Sequence, residues 1–180
     1  MTSVIANPLS IKKIRELANM LREATNYNDT AFFPVVHFIE SILPSIDSEF
    51  SLVIEDINSM GACHGLACPE EKCIKLREDV YERAIQGIGR DRFTVAHELG
   101  HYLLHDDNNV TLARMEKNKK IEHFRDPEWQ ANTFAAELLV PLNLIDTQNI
   151  YEIAENFGVS NQVAEIRLNK LNKQQLMLLK

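Results

Sequence analysis

The sequence of 180 residues has no apolar run approaching the ~18 residues that a membrane-spanning helix needs. Its N-terminus lacks a basic segment followed by a hydrophobic stretch, so no secretory leader is expected and the cytoplasm is the default compartment. Cysteine is scarce. Cys63, Cys68 and Cys73 are an odd set, which suits a reducing compartment better than a disulfide framework. With His64 beside the first of them, they lack the paired CxxC spacing of common zinc knuckles. Plain thiols are the expectation, with a structural metal or transient redox chemistry as the alternatives. Positive charge is short as well. A net charge of −7 argues against a broad phosphate-binding surface. There is no internal repeat and no low-complexity linker. The length allows one domain with a sizeable core.

Against these absences stands one dense motif. Residues 97–101 read His-Glu-Leu-Gly-His. Two histidines at i and i+4 on a helix differ by only ~40° around the axis, so both imidazoles can reach one ion. Zinc takes neutral imidazole nitrogens and accepts three protein ligands with a water in the fourth position. A glutamate directly after the first histidine stands beside that water and can take its proton. The flanking Phe93, Ala96, Leu99, Gly100, Leu103 and Leu104 are too apolar for a solvent-facing helix. Buried histidines and a buried glutamate need partners, and a metal supplies them. His97 and His101 are therefore the candidate ligands, and Glu98 the candidate base.

The rest of the chain reads as mostly helical. Residues 1–9 look like a frayed start. Ser10 caps a helix to about Glu23, and a second helix covers Pro34 to Leu43, bounded by Pro44. His37 lies off its buried stripe. Glu49 to Ile57 and Lys72 to Leu76 read as strands, plausibly antiparallel, with a turn or loop over Asn58 to Gly65. A short helix over Asp79 to Gln86 ends at Gly87 and Gly89. Asp91 is expected to cap the motif helix, which runs to about His105 and stops in a loop at residues 106–109. A polar stretch, Ala113 to Arg125, follows. Asp126-Pro127 then opens a helix that ends before Pro141, and two more helices flank Gly158.

Two histidines do not complete a catalytic site. The HExxHxxGxxH route places Leu104 where glycine is needed and Asp107 as third ligand, and leucine is unsuited to that turn. His105 would make one ion bridge two turns. A helix-end histidine on terminal carbonyls is the favoured reading there, a role near the ligands or substrate the alternative. Glu128, in the helix after Asp126-Pro127, is the better candidate. It shares a face with Ala131, Asn132 and Ala135, and the small residues allow close approach to the motif helix. Asn132 could then fix the tautomer of a ligand histidine. Glu137 lies on the opposite side of that helix and is the competing choice. Tyr102, His105 and His123 are candidate donors to a developing oxyanion, and the sequence does not choose among them.

The strings RDRFTVAHELGHYLLH at 90–105 and EWQANTFAAELLVP at 128–141 resemble the ImmA/IrrE family of bacterial and phage metallopeptidases, over roughly residues 50–171. The resemblance implies His97, His101 and Glu128 as zinc ligands and Glu98 as base. It implies a gluzincin-like α+β fold, mostly helical, with a small antiparallel or mixed sheet beside the HExxH helix. The corresponding division is an N-terminal helical segment 1–48, a peptidase core 49–141 and a helical tail 142–180. It further implies a zinc endopeptidase whose substrate is a partner repressor of the XRE-like helix-turn-helix type. Segment 63–73 matches no pattern of the family. The tail, with its Phe-Gly-Val-Ser turn, itself looks like a helix-turn-helix. Only Arg167 and Lys170 are offered for DNA, so contact through 154–170 is a minor expectation. The competing functional readings are a non-hydrolytic regulator that binds a transcription factor, and a DNA-binding regulator.

Overall fold

A computed structural model describes residues 2–105, 110–114 and 121–178. The chain opens with strand β1 (Thr2–Ala6), which pairs antiparallel with β5 (Val110–Arg114), Thr2 opposite Arg114. Both segments were illegible as a ribbon because each lies far in sequence from the partner that gives it hydrogen bonds. Helix α1 (Ile11–Ala24) starts at Ser10, whose hydroxyl accepts from the Lys13 N–H. The next helical stretch comprises α2 (Val35–His37), a π-turn at Phe38–Ile42 and α3 (Leu43–Ile46). It thus continues past Pro44, which was expected to end it. The proline sits in the first turn of α3, where its missing N–H costs little. His37 is exposed.

The sheet is mixed. Strands β2 (Ser51–Glu55), β3 (Gly65–Cys68) and β4 (Cys73–Arg77) lie in the order β2-β4-β3. β4 is parallel to β2, not antiparallel, and antiparallel to β3. The segment read as a loop, Asn58 to Gly65, holds most of α4 (Ile57–Met60) and the first residue of β3, and the rest of β3 lies in the stretch before Lys72 where no element was expected. That crossover is long enough to return β4 in the same direction as β2. β3 is too short, and its Gly-Leu-Ala-Cys too weakly patterned, to announce itself.

Helix α5 (Glu78–Ile85) leads into α6 (Gly89–Leu104), the helix of the motif. Ile88 holds the N-cap position without a side-chain cap. Asp91 lies inside the first turn, where Arg83 of α5 donates to it through Nε at 2.9 Å and Nη2 at 3.0 Å. Its charge still suits the positive helix end, but its partner is a cation and not the backbone. α6 is enclosed by α2, α5, α7, β3 and β4, which is why Val95, Ala96 and Leu99 are wholly buried. Helix α7 (Pro127–Leu139) starts as expected, with the Asp126 carboxylate accepting from the Glu128 N–H. It lies tight against α6. A Cβ on Gly100 would stand 3.2 Å from the Cα of Ala131 and 3.1 Å from the Phe134 ring. Gly100 and Ala131 thus set the separation of the two helices. Helices α8 (Ile150–Phe157) and α9 (Asn161–Leu178) follow, with Gly158 between them in the left-handed conformation. Among the described residues, no helix is long and apolar enough to cross a membrane.

Candidate metal centre

Close packing of α6 on α7 brings three side chains to one point. His97 and His101 face each other with Nε2 atoms 3.0 Å apart. The Glu128 carboxylate, on the first turn of α7, lies 3.4 Å from His97 Nε2 through Oε2 and 3.3 Å from His101 Nε2 through Oε1. All three offer an atom within 4.8 Å of the others. Glu137, the competing glutamate, is on the far side of α7, buried among Arg15, Arg167 and Lys170.

Hydrogen bonds determine what these atoms are. Gln130 is fully buried, and its Nε2 donates to the carbonyls of Asn7 and Phe124, both at 2.8 Å. Carbonyls only accept, so the amide has one orientation and Oε1 is its acceptor end. His105 Nε2, 2.9 Å from that oxygen, must carry a proton. His105 Nδ1 is then a lone pair and accepts the Nδ1 proton of His101 at 2.9 Å. That leaves His101 Nε2 as a lone pair aimed at the cluster. On the other ligand, His97 Nδ1 donates to Asn132 Oδ1 at 3.2 Å, again leaving Nε2 bare. Two imidazole lone pairs and a carboxylate thus face one another, with no donor between them among the described residues. A cation relieves that arrangement. Burial, with His97 and His105 adding to it, pushes His101 down to about 3, so a proton is a poor cation there. The donor set fits a divalent metal ion of the zinc type.

Glu98 points to the other side of the same cleft, and its Oε2 accepts from the Ala67 N–H of β3 at 3.0 Å. Gly65 makes room for it: a Cβ there would lie 2.6 Å from Glu98 Cγ. Burial pushes this carboxyl up to about 7, against the opposing pull of the Ala67 N–H. Such a group both accepts and returns a proton near neutrality. The cleft has a volume of about 360 Å³. One wall is β3 and Pro69, the other His97, Glu98, His101, His105 and Glu128.

The remaining candidates separate clearly. Asn132 lies against His97, its Oδ1 3.2 Å from His97 Nδ1. His105 does not turn its ring to the terminal carbonyls of the helix; the ring is largely buried and lies between His101 and Gln130, which supply partners for both its nitrogens. Tyr102 turns away: its hydroxyl donates to Asp47 at 2.9 Å and its ring packs edge-on against Phe50. His123 lies near Trp129, in a separate hollow beside Pro8 and Leu9. The loop at 106–109 is outside the described residues. Sequence reading missed Gly65, Ala67 and Gln130. Only the i+4 step from His101 to His105 hinted at a chain of polar contacts behind the ligands.

A buried helix carrying HExxH, with a facing glutamate from the next helix, defines a metallopeptidase-like centre. The Peptidase M78 family model, described as the IrrE N-terminal-like domain, matches residues 77–169, just over half of the chain. The chain belongs to this family of peptidases. The metallopeptidase ImmA of Bacillus subtilis (strain 168) is 25% identical over 155 residues, which cover 76% of this chain and 85% of that protein.

Proposed function

We propose that the protein is a zinc-dependent endopeptidase of the cytoplasm that cleaves a partner repressor with a helix-turn-helix DNA-binding domain. The observation that carries the peptidase reading is the set of three acceptors, His97, His101 and Glu128, with the buried Glu98 beside them. His97, His101 and Glu128 would hold the metal. A bound zinc ion supplies Lewis acidity, lowering the pKa of water and polarising a carbonyl. The chain's own residues do the rest. Glu98 takes the proton from the attacking water and later hands it to the departing nitrogen. The Ala67 N–H keeps its carboxylate aimed into the cleft while that proton moves. Asn132 and His105 hold the ligand rings in the tautomer that binds.

The cleft is open along β3, the edge strand of the sheet, whose outer side can pair with an extended peptide. An adjoining groove of about 490 Å³ passes Phe93, Thr94, Asn132, Ala136, Val163 and Ile166, and suits an apolar substrate side chain. The family relationship supports a protein substrate, and the class of repressor rests on that relationship. DNA contact through the tail is disfavoured, since Arg167 and Lys170 both turn to Glu137.

Purified protein with zinc, incubated with the repressor encoded beside its gene, should yield two defined fragments. Glu98→Gln should retain zinc and lose about 10²–10⁴-fold in cleavage rate. Cleavage by that variant at the wild-type rate would remove Glu98 from the base role. A repressor bound tightly but left uncut by zinc-loaded wild type would favour a non-hydrolytic regulator.

A further inference from the structure

The β3–β4 hairpin gathers a second group of donors outside the histidine cluster. Cys68 and Cys73 are directly opposite in register, so their side chains leave the same face of the sheet. The turn between them folds back on itself, the Glu71 N–H donating to the Cys68 carbonyl and the Lys72 N–H to that of Pro69, both at 3.1 Å. Glu71 thereby returns over the two thiols. Both sulfurs and a carboxylate oxygen of Glu71 lie within 4.8 Å of one another. Cys73 is buried, Cys68 half-buried and Glu71 exposed, so the group is floored by the protein and open to solvent on one side. Both cysteines are free thiols. Cys63 is not part of the group; its sulfur lies beside the Gly65 carbonyl.

We propose that this hairpin tip binds a soft divalent cation of the zinc class through Cys68, Cys73 and Glu71. Thiolate sulfur and carboxylate oxygen are both zinc donors, and four residues between cysteines is the long end of zinc-knuckle spacing. Two sulfurs in three donors select against magnesium and calcium. The spacing alone argued for plain thiols; the hairpin supplies the third donor that spacing could not reveal. Lys75 Nζ, 3.0 Å from Glu71 Oε2, restrains the carboxylate beside the sulfurs. The residue before Cys68 is Ala67, which holds Glu98. A cation at the tip therefore pins the strand on which Glu98 leans. The assignment is independent of the peptidase reading.

Cobalt titration of the reduced protein under anaerobic conditions tests it. Wild type should take up one more equivalent than Cys68→Ser and show a sulfur-to-cobalt charge-transfer band that this variant lacks. His97→Ala/His101→Ala should keep the band while losing the other equivalent, so failure of one site is distinguished from failure of the other. Glu71→Gln, an exposed and structurally mild change, should raise the half-saturating cobalt concentration of the band by about 10-fold or more. The proposal is overturned by absence of a thiolate band in wild type, by its survival in Cys68→Ser, or by an unchanged titration of Glu71→Gln. A Cys68–Cys73 disulfide forming in air, with no band in the reduced protein, would make the pair redox-active and equally overturn it.

Discussion

Helix α7 carries two glutamates that face opposite sides of the molecule, and their surroundings are electrostatic opposites. Glu137 is wholly enclosed and saturated with cations. Arg167 donates to both its oxygens, at 2.9 and 3.0 Å, Arg15 reaches it at 2.9 Å and Lys170 at 2.8 Å. Glu128 is largely exposed and faces only lone pairs. One acid has every charge it needs from the chain; the other, with its two histidines, has none among the described residues. The difference separates architecture from function. A network satisfied from within ties α1, α7 and α9 together, whereas a cluster of acceptors left without a cation is complete only with something from outside. The proximity of both to one helix also explains why sequence spacing offered both glutamates as ligands.

The largest effect on this contrast should come from Glu137→Gln. The substitution leaves the buried Arg167 guanidinium without its counter-charge, which costs about 3–5 kcal/mol where a buried pair is broken from one side. Urea unfolding of wild type and variant measures it, and a loss below about 1 kcal/mol would mean the network contributes little. Metal affinity should be unaffected, because the change lies on the far side of α7.

Acid should act more gradually on the same end. Burial opposes ionisation of Glu137, but Arg167, Arg15 and Lys170 outweigh it and hold the carboxyl well below the usual range. In the unfolded chain it titrates at ~4.3. A carboxyl depressed by folding contributes its full stability above that unfolded value, and the contribution drains as pH falls towards the folded one. Unfolding midpoints of wild type should therefore drop from about pH 5 downward. The drop should be shallower in Glu137→Gln, and parallel curves for the two proteins would remove Glu137 from the acid response.

Legibility in the sequence followed the range of the interactions. Helices with local signals were readable: Ser10 and Asp126 as caps, Pro127 at a first turn, Gly158 as a break. The histidine pair was readable because i+4 geometry is local to one helix. Glu128 was within reach because small residues at 131 and 135 signalled close packing. What failed was long-range. β1 and β5 find each other across most of the chain, and β3 is recognisable only once β4 lies beside it. Ala67 meets Glu98 through a backbone N–H, which no side-chain pattern encodes. The cap assigned to Asp91 failed because Arg83, on the preceding helix, competes for the carboxylate.

The smallest effect belongs to the residue furthest behind the metal centre. Gln130 touches no candidate ligand, yet its two bonds to backbone carbonyls determine where the protons lie on His105 and, through it, on His101. Gln130→Leu keeps the volume roughly constant and removes the acceptor, so His105 can adopt the other tautomer and donate through Nδ1. His101 Nδ1 then becomes the acceptor, and its proton moves to Nε2, the atom needed for the metal. Binding must reverse this shift, and zinc affinity should fall by about 10–100-fold, the usual cost of losing a partner behind a ligand. Zinc affinity by competition with a chelator gives the magnitude, and nitrogen shifts of His101 in the metal-free protein report the tautomer directly. Gln130→Glu offers the control, since its protonated carboxyl donates to one of the two carbonyls, still accepts from His105 Nε2 and should keep the His101 tautomer. If Gln130→Leu leaves both the nitrogen shifts and the affinity unchanged, the proton on His101 is set by the cluster itself and not by the contacts behind it.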